Sequence, residues 1–369
     1  MKRLAVLRTI VPALLAVGLM GVLPNWVTLA EAETYLSPED AVKNSANVLS
    51  TALANRGAIT SAIANRTGGR SSSTAGGFRI DGVRFGGVQF EGRSPLVEDS
   101  AAGSHATGQL GGFLTAVGGF GDQEGVLDYT SGGLIGGIDY QFSDEVVGGL
   151  SINWINTDTD YAEVGNGSDR DSYGASLYAA YSVDRLNVTG LFNYSFSDYA
   201  MTRVTNVDVA TGTNNSDEIF LSAGVSYDCE MLGWTVGPTA RMDLVKVWMD
   251  GYSETGSAVN ADYAAFDVTS FTTDLGIDAS YEIKTGGGVI RPRVHAYWVH
   301  EYENDSQILS ASGFAPIVTD SPDRNYMRIG AGATMELGDG LQIYADWEGL
   351  VGFQDINSHQ ISAGGRFEF

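Results

Sequence analysis

The run Ser172-Tyr173-Gly174-Ala175-Ser176-Leu177-Tyr178-Ala179-Ala180-Tyr181-Ser182 decides the fold. Side chains alternate with a period of two along an extended chain. Tyr173, Ala175, Leu177, Ala179 and Tyr181 therefore fall on one face, and Gly174, Ser176, Tyr178 and Ser182 on the other. The next run repeats the pattern: Leu186, Val188, Gly190, Phe192, Tyr194 and Phe196 alternate with Asn187, Thr189, Asn193 and Ser195. Farther along, Phe271, Leu275, Ile277, Ala279, Tyr281 and Ile283 oppose Thr272, Asp274, Asp278, Ser280 and Glu282, and Met327 to Leu337 alternates in the same way. One face is apolar with aromatics toward its ends; the other is small, polar or charged. A soluble sandwich also alternates, but its strands average about five or six residues, whereas these runs reach the roughly nine to eleven that a tilted strand needs to cross a bilayer.

Connection lengths sharpen the reading. Phe142-Ser143-Asp144-Glu145, Val183-Asp184-Arg185, Asp228 to Gly233, Lys284 to Gly288 and Leu337-Gly338-Asp339-Gly340 read as tight turns. Between them, Thr157 to Asp169, Ala200 to Asp217, Met249 to Ala264 and Glu303 to Asp323 read as long, acidic, Asn/Gly-rich loops. Short turns on one side and long loops on the other are the arrangement of an outer-membrane barrel. The runs from Gly112 to Phe369 number about twelve, an even count that puts both barrel ends on the short-turn side. The expected fold is all-β: an antiparallel transmembrane β-barrel of about twelve strands over residues 111–369.

The chain has 369 residues, 45 acidic against 21 basic, for a formal charge of −24. So acidic a chain has no excess of Lys and Arg to neutralise phosphates, which argues against nucleic acid as a partner. Glycine contributes 48 residues and proline 8, a mixture that is neither collagen nor proline-rich disorder. A single cysteine, Cys229, excludes a disulfide framework and any multi-cysteine metal site.

Residues 1–32 read as a cleaved secretory signal. Lys2, Arg3 and Arg8 form a basic start, Thr9 to Leu23 is apolar, and Ala30-Glu31-Ala32 is an A-x-A cleavage pattern, so Ala30 and Ala32 mark the site. An uncleaved anchor is the competing reading, weakened by Pro24 and Asn25. Within residues 33–66, Ser37-Pro38-Glu39-Asp40 starts a helix, with Ser37 as N-cap and Pro38 in the first turn. Val42, Leu49, Ala52, Leu53, Ile59 and Ile63 then recur at helical spacing up to Arg66. The stripe is narrow and alanine-rich, suited to a wide polar lumen, where Lys43, Arg56 and Arg66 would meet Asp274, Asp278 or Glu348. Residues 67–110 begin with the flexible linker Thr67 to Gly77 and continue into a weakly alternating hairpin over 78–91.

Specific residues carry a family resemblance. They are Gly136-Gly137-Ile138-Asp139, the Gly237-Pro238 strand leading to Tyr252-Ser253-Glu254-Thr255-Gly256, Trp298-Val299-His300-Glu301, Arg328-Ile329-Gly330-Ala331-Gly332 and the terminal Arg366-Phe367-Glu368-Phe369. In this order they make Gly111 to Phe369 resemble the C-terminal translocator domain of autotransporters, the type V secretion proteins. The resemblance implies a twelve-stranded barrel threaded by an N-terminal helix that once carried an exported passenger across the membrane. It implies a Gram-negative outer membrane as the location and outer-membrane lipid, periplasmic chaperones and the barrel-assembly machinery as partners of a monomeric barrel, with Phe367 and Phe369 as the assembly signal. The stretch between Ala32 and the barrel is too short for the usual long β-helical passenger, and its helix lacks the Asn-Asn pair of self-cleaving members. The pair that does occur, Asn214-Asn215, falls in an expected outer loop.

Alternation aims Asp139, Arg241, Asp243, Asp274, Asp278, Glu282, Arg291, Arg293, His295, Glu301, Arg328, Asp346, Glu348 and Arg366 at the lumen. A pore lining that binds the helix or sets ion selectivity is one reading. The other is structural, with opposite charges pairing so that no ion is buried alone, and the mixed signs favour it because they form no selective ring. The histidines are His105, His295, His300 and His359, and none lies in an H-x-x-H or H-E-x-x-H pattern for zinc. G-x-S-x-G is missing, as is the His-x-Ser-Asn-Gly constellation of outer-membrane phospholipases. Neither catalysis nor a cofactor or metal is expected. The expected function is translocation or anchoring with a very short passenger; the alternatives are a passive diffusion channel and an adhesin working through its loops.

Overall fold

The computed structural model describes residues 110–123, 127–161, 165–205, 208–303, 308–312, 317–318, 323–337, 341–353 and 356–368. The signal segment, the helix over 37–66, the linker, the 78–91 hairpin and Phe369 lie outside the described residues.

Twelve long strands follow one another: β1 Leu110–Gln123, β2 Leu127–Gln141, β3 Val146–Tyr161, β4 Gly167–Val183, β5 Leu186–Val204, β6 Val209–Tyr227, β7 Trp234–Met249, β8 Phe266–Tyr281, β9 Gly288–Glu301, β10 Asn325–Glu336, β11 Leu341–Val351 and β12 Ile356–Glu368. Each pairs antiparallel with its chain neighbours. β1 then pairs with β12, from Gly111 opposite Glu368 to Gln123 opposite Ile356, which closes the sheet into a barrel. Closure satisfies every edge, the condition for strands to stand in lipid. Among the described residues no helix is long and apolar enough to cross a membrane.

The outward face carries what lipid requires. Leu114, Leu134, Ile138, Leu150, Ile152, Leu177, Leu275, Ile277 and Val294 are exposed apolar side chains, while Trp154, Tyr194, Trp248 and Trp298 mark one girdle and Tyr140, Phe142, Tyr181, Tyr227, Trp234 and Tyr281 the other. The second girdle lies on the side of the short turns at 142–145, 184–185 and 286–287 and of both barrel ends, which is the inner side. Connections of two kinds occupy the outer side. The β7–β8 connection, residues 250–265, and the β9–β10 connection are long and carry small ladders of their own, Tyr252–Ser253 with Asp262–Tyr263 and Ile308–Leu309 with Ile317–Val318.

The other two expected long loops are instead ladder. β3 runs to Tyr161 and β4 resumes at Gly167, and β5 and β6 are 19 residues each, paired out to Val204 opposite Val209. Asn214-Asn215 therefore sits within β6 and not in a loop. The reason is physical. Beyond the bilayer the outward positions meet water, so Asp158, Asp160 and Asp169 stand there exposed, both faces become polar, and the alternation fades from the sequence although the hydrogen-bonded ladder continues.

Inside, glycines make room for aromatic rings that lie across neighbouring strands. A side chain at Gly149 on β3 would collide with the Tyr178 ring from β4, and one at Gly137 on β2 would collide with Phe113 from β1. The two rings meet edge to face at 6.5 Å, and the Tyr178 hydroxyl donates to Asp139 at 3.3 Å. One aromatic pair thus ties β1, β2, β3 and β4 together on the lumen side.

Candidate functional site: the lumen of the barrel

The charged residues that alternation aims at the lumen are buried, except Glu282, which follows β8 at the inner rim and is partly exposed, and the inner half of β7 to β11 gathers most of them. β9 presents Arg291, Arg293, His295 and Tyr297 at successive inward positions. Arg291 donates to Glu336 at 2.8 Å and to Glu282 at 3.2 Å, near the inner rim. One step outward, Arg293 pairs with Asp346 at 3.3 Å and His295 with Glu348 at 3.1 Å. Both contacts reach from β9 across β10 to β11. They can do so because β10 carries Gly330 and Gly332 at the crossing points, where any side chain would collide with His295 and Asp346.

The network continues on the other side of β9. Tyr297 donates to Asp278 at 2.8 Å, and Thr239 donates to the same carboxylate at 2.9 Å. Arg241 donates to Asp243 at 2.7 Å and also to Asp274. Arg328 stands 3.5 Å from both Asp274 and Glu348, joining the two halves. Opposite charges alternate along most of this wall, Asp278 being held by two hydroxyls, and the mixed signs form no ring of one sign among the described residues to select an ion. Asp139 and Arg366 are buried at the inner ends of β2 and β12, and Glu301 at the outer end of β9 accepts from Ser270 and from the Phe271 amide at 2.8 Å.

Farther out the lumen changes character. On β7 the inward sequence runs Arg241, Asp243, Val245, Val247, Met249; on β9 Val299 follows Tyr297, and on β10 Tyr326 lies outward of Arg328. Val245, Val247 and Val299 are wholly buried and belong to one apolar cluster with Ile155, Val268 and Tyr326. On the β7 to β10 side the inward face therefore turns from charged to apolar toward the outer end, while β3 to β6 keep polar residues there, with Ser197, Ser216 and Glu218 buried at the level of the valines. The physical ground is packing: long side chains meeting across a closed sheet exclude water from that level and are stable there only if apolar.

Four charged residues that the sequence reading missed lie at the outer end. Arg170 on β4 reaches over β5 to Glu218 on β6 at 3.1 Å, donates to Ser197 at 2.8 Å and covers the Tyr199 ring at 5.4 Å. Arg203, inward on β5, makes a two-pronged contact of 2.9 and 2.5 Å with Glu254 of the β7–β8 connection. Arg203 and Glu254 fall inside stretches read as loop, Arg170 and Glu218 immediately beside such stretches, and no inward direction was assigned to any of them. The available signal was the spacing Tyr199, Met201, Arg203, which keeps the period of two.

The β7–β8 connection buries Tyr252, Glu254, Ala261 and Tyr263 outside the membrane-spanning part and meets Asp208 of the β5–β6 turn. Asp208 accepts from Thr205, from the Ala258 amide at 2.9 Å and from Ser257, and these bonds, the one from Ser257 foremost, hold its carboxyl below the usual range. Burial keeps the Tyr263 hydroxyl protonated far above the ordinary phenol range, with Glu254, which accepts its proton at 3.3 Å, adding to the effect. Among the described residues no group of His, Cys, Asp and Glu is arranged to hold a metal ion.

Comparison with known proteins accords with this architecture. The family model of the autotransporter beta-domain matches residues 112–348. No curated protein sequence matches the chain. Among solved structures, the translocator domain of the autotransporter NalP from Neisseria meningitidis is similar at a TM-score of 0.61 and 16% identity, covering 71% of this chain and 89% of its own. The beta domain of the Bordetella autotransporter BrkA is similar at 0.58 and 20% identity, covering 71% of this chain and all of its own (100%). With the closed twelve-stranded barrel, its lipid-facing belt and the family match over residues 112–348, the chain belongs to the autotransporter beta-domain family of outer-membrane translocators.

Proposed function

We propose that this translocator barrel passes and then anchors a very short passenger, a part of residues 33–110 outside the lumen helix, at the surface of a Gram-negative cell, and that it catalyses no reaction. A signal cleaved after Ala32 would deliver the chain to the periplasm, where chaperones and the barrel-assembly machinery receive it, and it would stand in the lipid as a monomer. The helix over 37–66 would then occupy the inner half of the lumen.

One observation supports this reading over a diffusion channel: outward of the paired-charge wall, the side of the lumen formed by β7 to β10 turns apolar at Val245, Val247 and Val299. A wall of mixed charge suits a polar, alanine-rich helix, whereas an apolar constriction dewets and opposes the steady passage of small ions. Protease shaving of intact cells, with an epitope tag inserted between Ser72 and Ser73, tests it. The tag is expected to be removed from outside while the barrel is spared. A tag that is protected on intact cells and cleaved only after the outer membrane is opened overturns the reading in favour of a periplasmic N-terminal segment.

A further inference from the structure

The β7–β8 connection does not stand out into solvent. Its ladder of Tyr252–Ser253 with Asp262–Tyr263 folds back, and Tyr252 and Tyr263 stack at 4.4 Å within the same apolar cluster as the lumen valines. A Cβ at the inward-facing Gly212 of β6 would sit 2.8 Å from the Tyr252 ring, so the ring lies on the lumen side of that strand. Thr255 bridges to Thr211 of β6, and Tyr263 bridges to Ala311 of the β9–β10 connection, where the Ser312 amide donates to the Asp262 carbonyl at 2.8 Å. The segment thereby reaches from the lumen side of β5 and β6 to the neighbouring connection.

Beside these bridges and the bonds from Ser257 and Ala258 to Asp208, one buried ion pair holds it there. Arg203 is 4% exposed and Glu254 8% exposed, and the carboxylate takes four donors: Arg203 Nε, Arg203 Nη2, the Ala261 amide at 2.9 Å and the Tyr263 hydroxyl. Arg203 also donates to the Val259 carbonyl at 2.8 Å. A buried carboxylate so fully bonded fixes one conformation, and loss of either charge leaves the other buried alone. We propose that residues 250–265 form a latched cap which closes the extracellular mouth of the barrel, with Arg203 and Glu254 as the latch. The cap shields the lumen from water-soluble molecules outside.

The test uses the full-length protein on intact cells, in a Cys229→Ser background. Single cysteines are placed at Ala261, on the underside of the cap at 1% exposure, and at Val259, on its top at 42% exposure. The probe is a bulky membrane-impermeant maleimide. Ala261→Cys is expected to label at least tenfold more slowly than Val259→Cys, and adding Glu254→Gln should raise the Ala261→Cys rate at least tenfold while the protein keeps the heat-dependent gel mobility of a folded barrel. The charge-exchanged pair Arg203→Glu with Glu254→Arg should restore part of the protection. Equal labelling at the two positions with the latch intact overturns the cap, and this comparison needs no latch variant to fold. Unchanged protection in Glu254→Gln overturns the latch.

Discussion

Tyr178 and Gly149 show how much a single residue choice decides in a barrel. A ring laid flat across the next strand needs a position with no side chain beneath it, and Gly149 supplies that position. The same ring reaches Asp139 with its hydroxyl and Phe113 with its edge, so three strands beyond its own depend on its placement. Gly149→Val is expected to displace the ring, break the Asp139 contact and destabilise the barrel by about 1–3 kcal/mol, the usual range for overpacking. Gly190, whose added Cβ would meet nothing within 4 Å, is the control, and Gly190→Ala should leave stability nearly unchanged. The temperature at which each variant converts from the fast to the slow gel form measures the difference. A Gly149→Val protein that converts at the same temperature as Gly190→Ala would show that the ring has room to move.

At the level of elements, the long outer extensions of β5 and β6 give the β7–β8 connection something to lean on. Asp208 lies at the turn between those extensions and accepts the Ala258 amide of that connection. Its folded-state carboxyl titrates below the ordinary value. A depressed carboxylate contributes stability that is present above the ordinary carboxylate pKa of about 4 and is lost as pH falls through the folded value. Protease sensitivity of residues 250–265 is therefore expected to be flat from neutrality down to that range and to rise below it. Asp208→Asn should remove this low-pH step, and an identical acid profile in that variant would place the step elsewhere.

The membrane-crossing parts of these elements were legible because lipid on one side and lumen on the other enforce alternation, as in Tyr173 to Ser182. The extensions were not legible. Thr157 to Asp169 and Ala200 to Asp217 are polar on both faces, so their strand character rests on a ladder with the partner strand that no local pattern reports. Burial of Arg170, Arg203 and Glu218 was hidden for the same reason. Asp274, Asp278 and Arg328 were legible as inward, but their partners were not: the contact of Arg293 with Asp346 crosses a whole strand and depends on Gly332 being bare.

For the whole molecule the decisive event is closure. β12 is paired on both sides, Phe367 with Leu341 of β11 and with Gly112 of β1, and until β1 arrives one side of β12 is a free edge able to template a strand from another protein. The last residues are therefore where an assembly machine would take hold, and Phe367, exposed outward near the inner side, stands there. Phe369 follows it by the period of two. If Phe369 acts only as one more interfacial aromatic, removing it costs about 1–2 kcal/mol of burial, and Phe120→Ala at the opposite girdle should cost about the same. If it is the recognition element, the loss appears before the barrel exists. Deletion of Phe369 is then expected to lower outer-membrane yield several-fold and leave protease-sensitive chain in the periplasm, while Phe120→Ala yields as the unchanged protein does. Equal yields for the two variants would mean that the terminal ring only anchors the finished barrel. A deficit confined to the Phe369 deletion, with the surviving barrels as heat-resistant as the parent, locates its effect in assembly, because a girdle contact would weaken every folded copy.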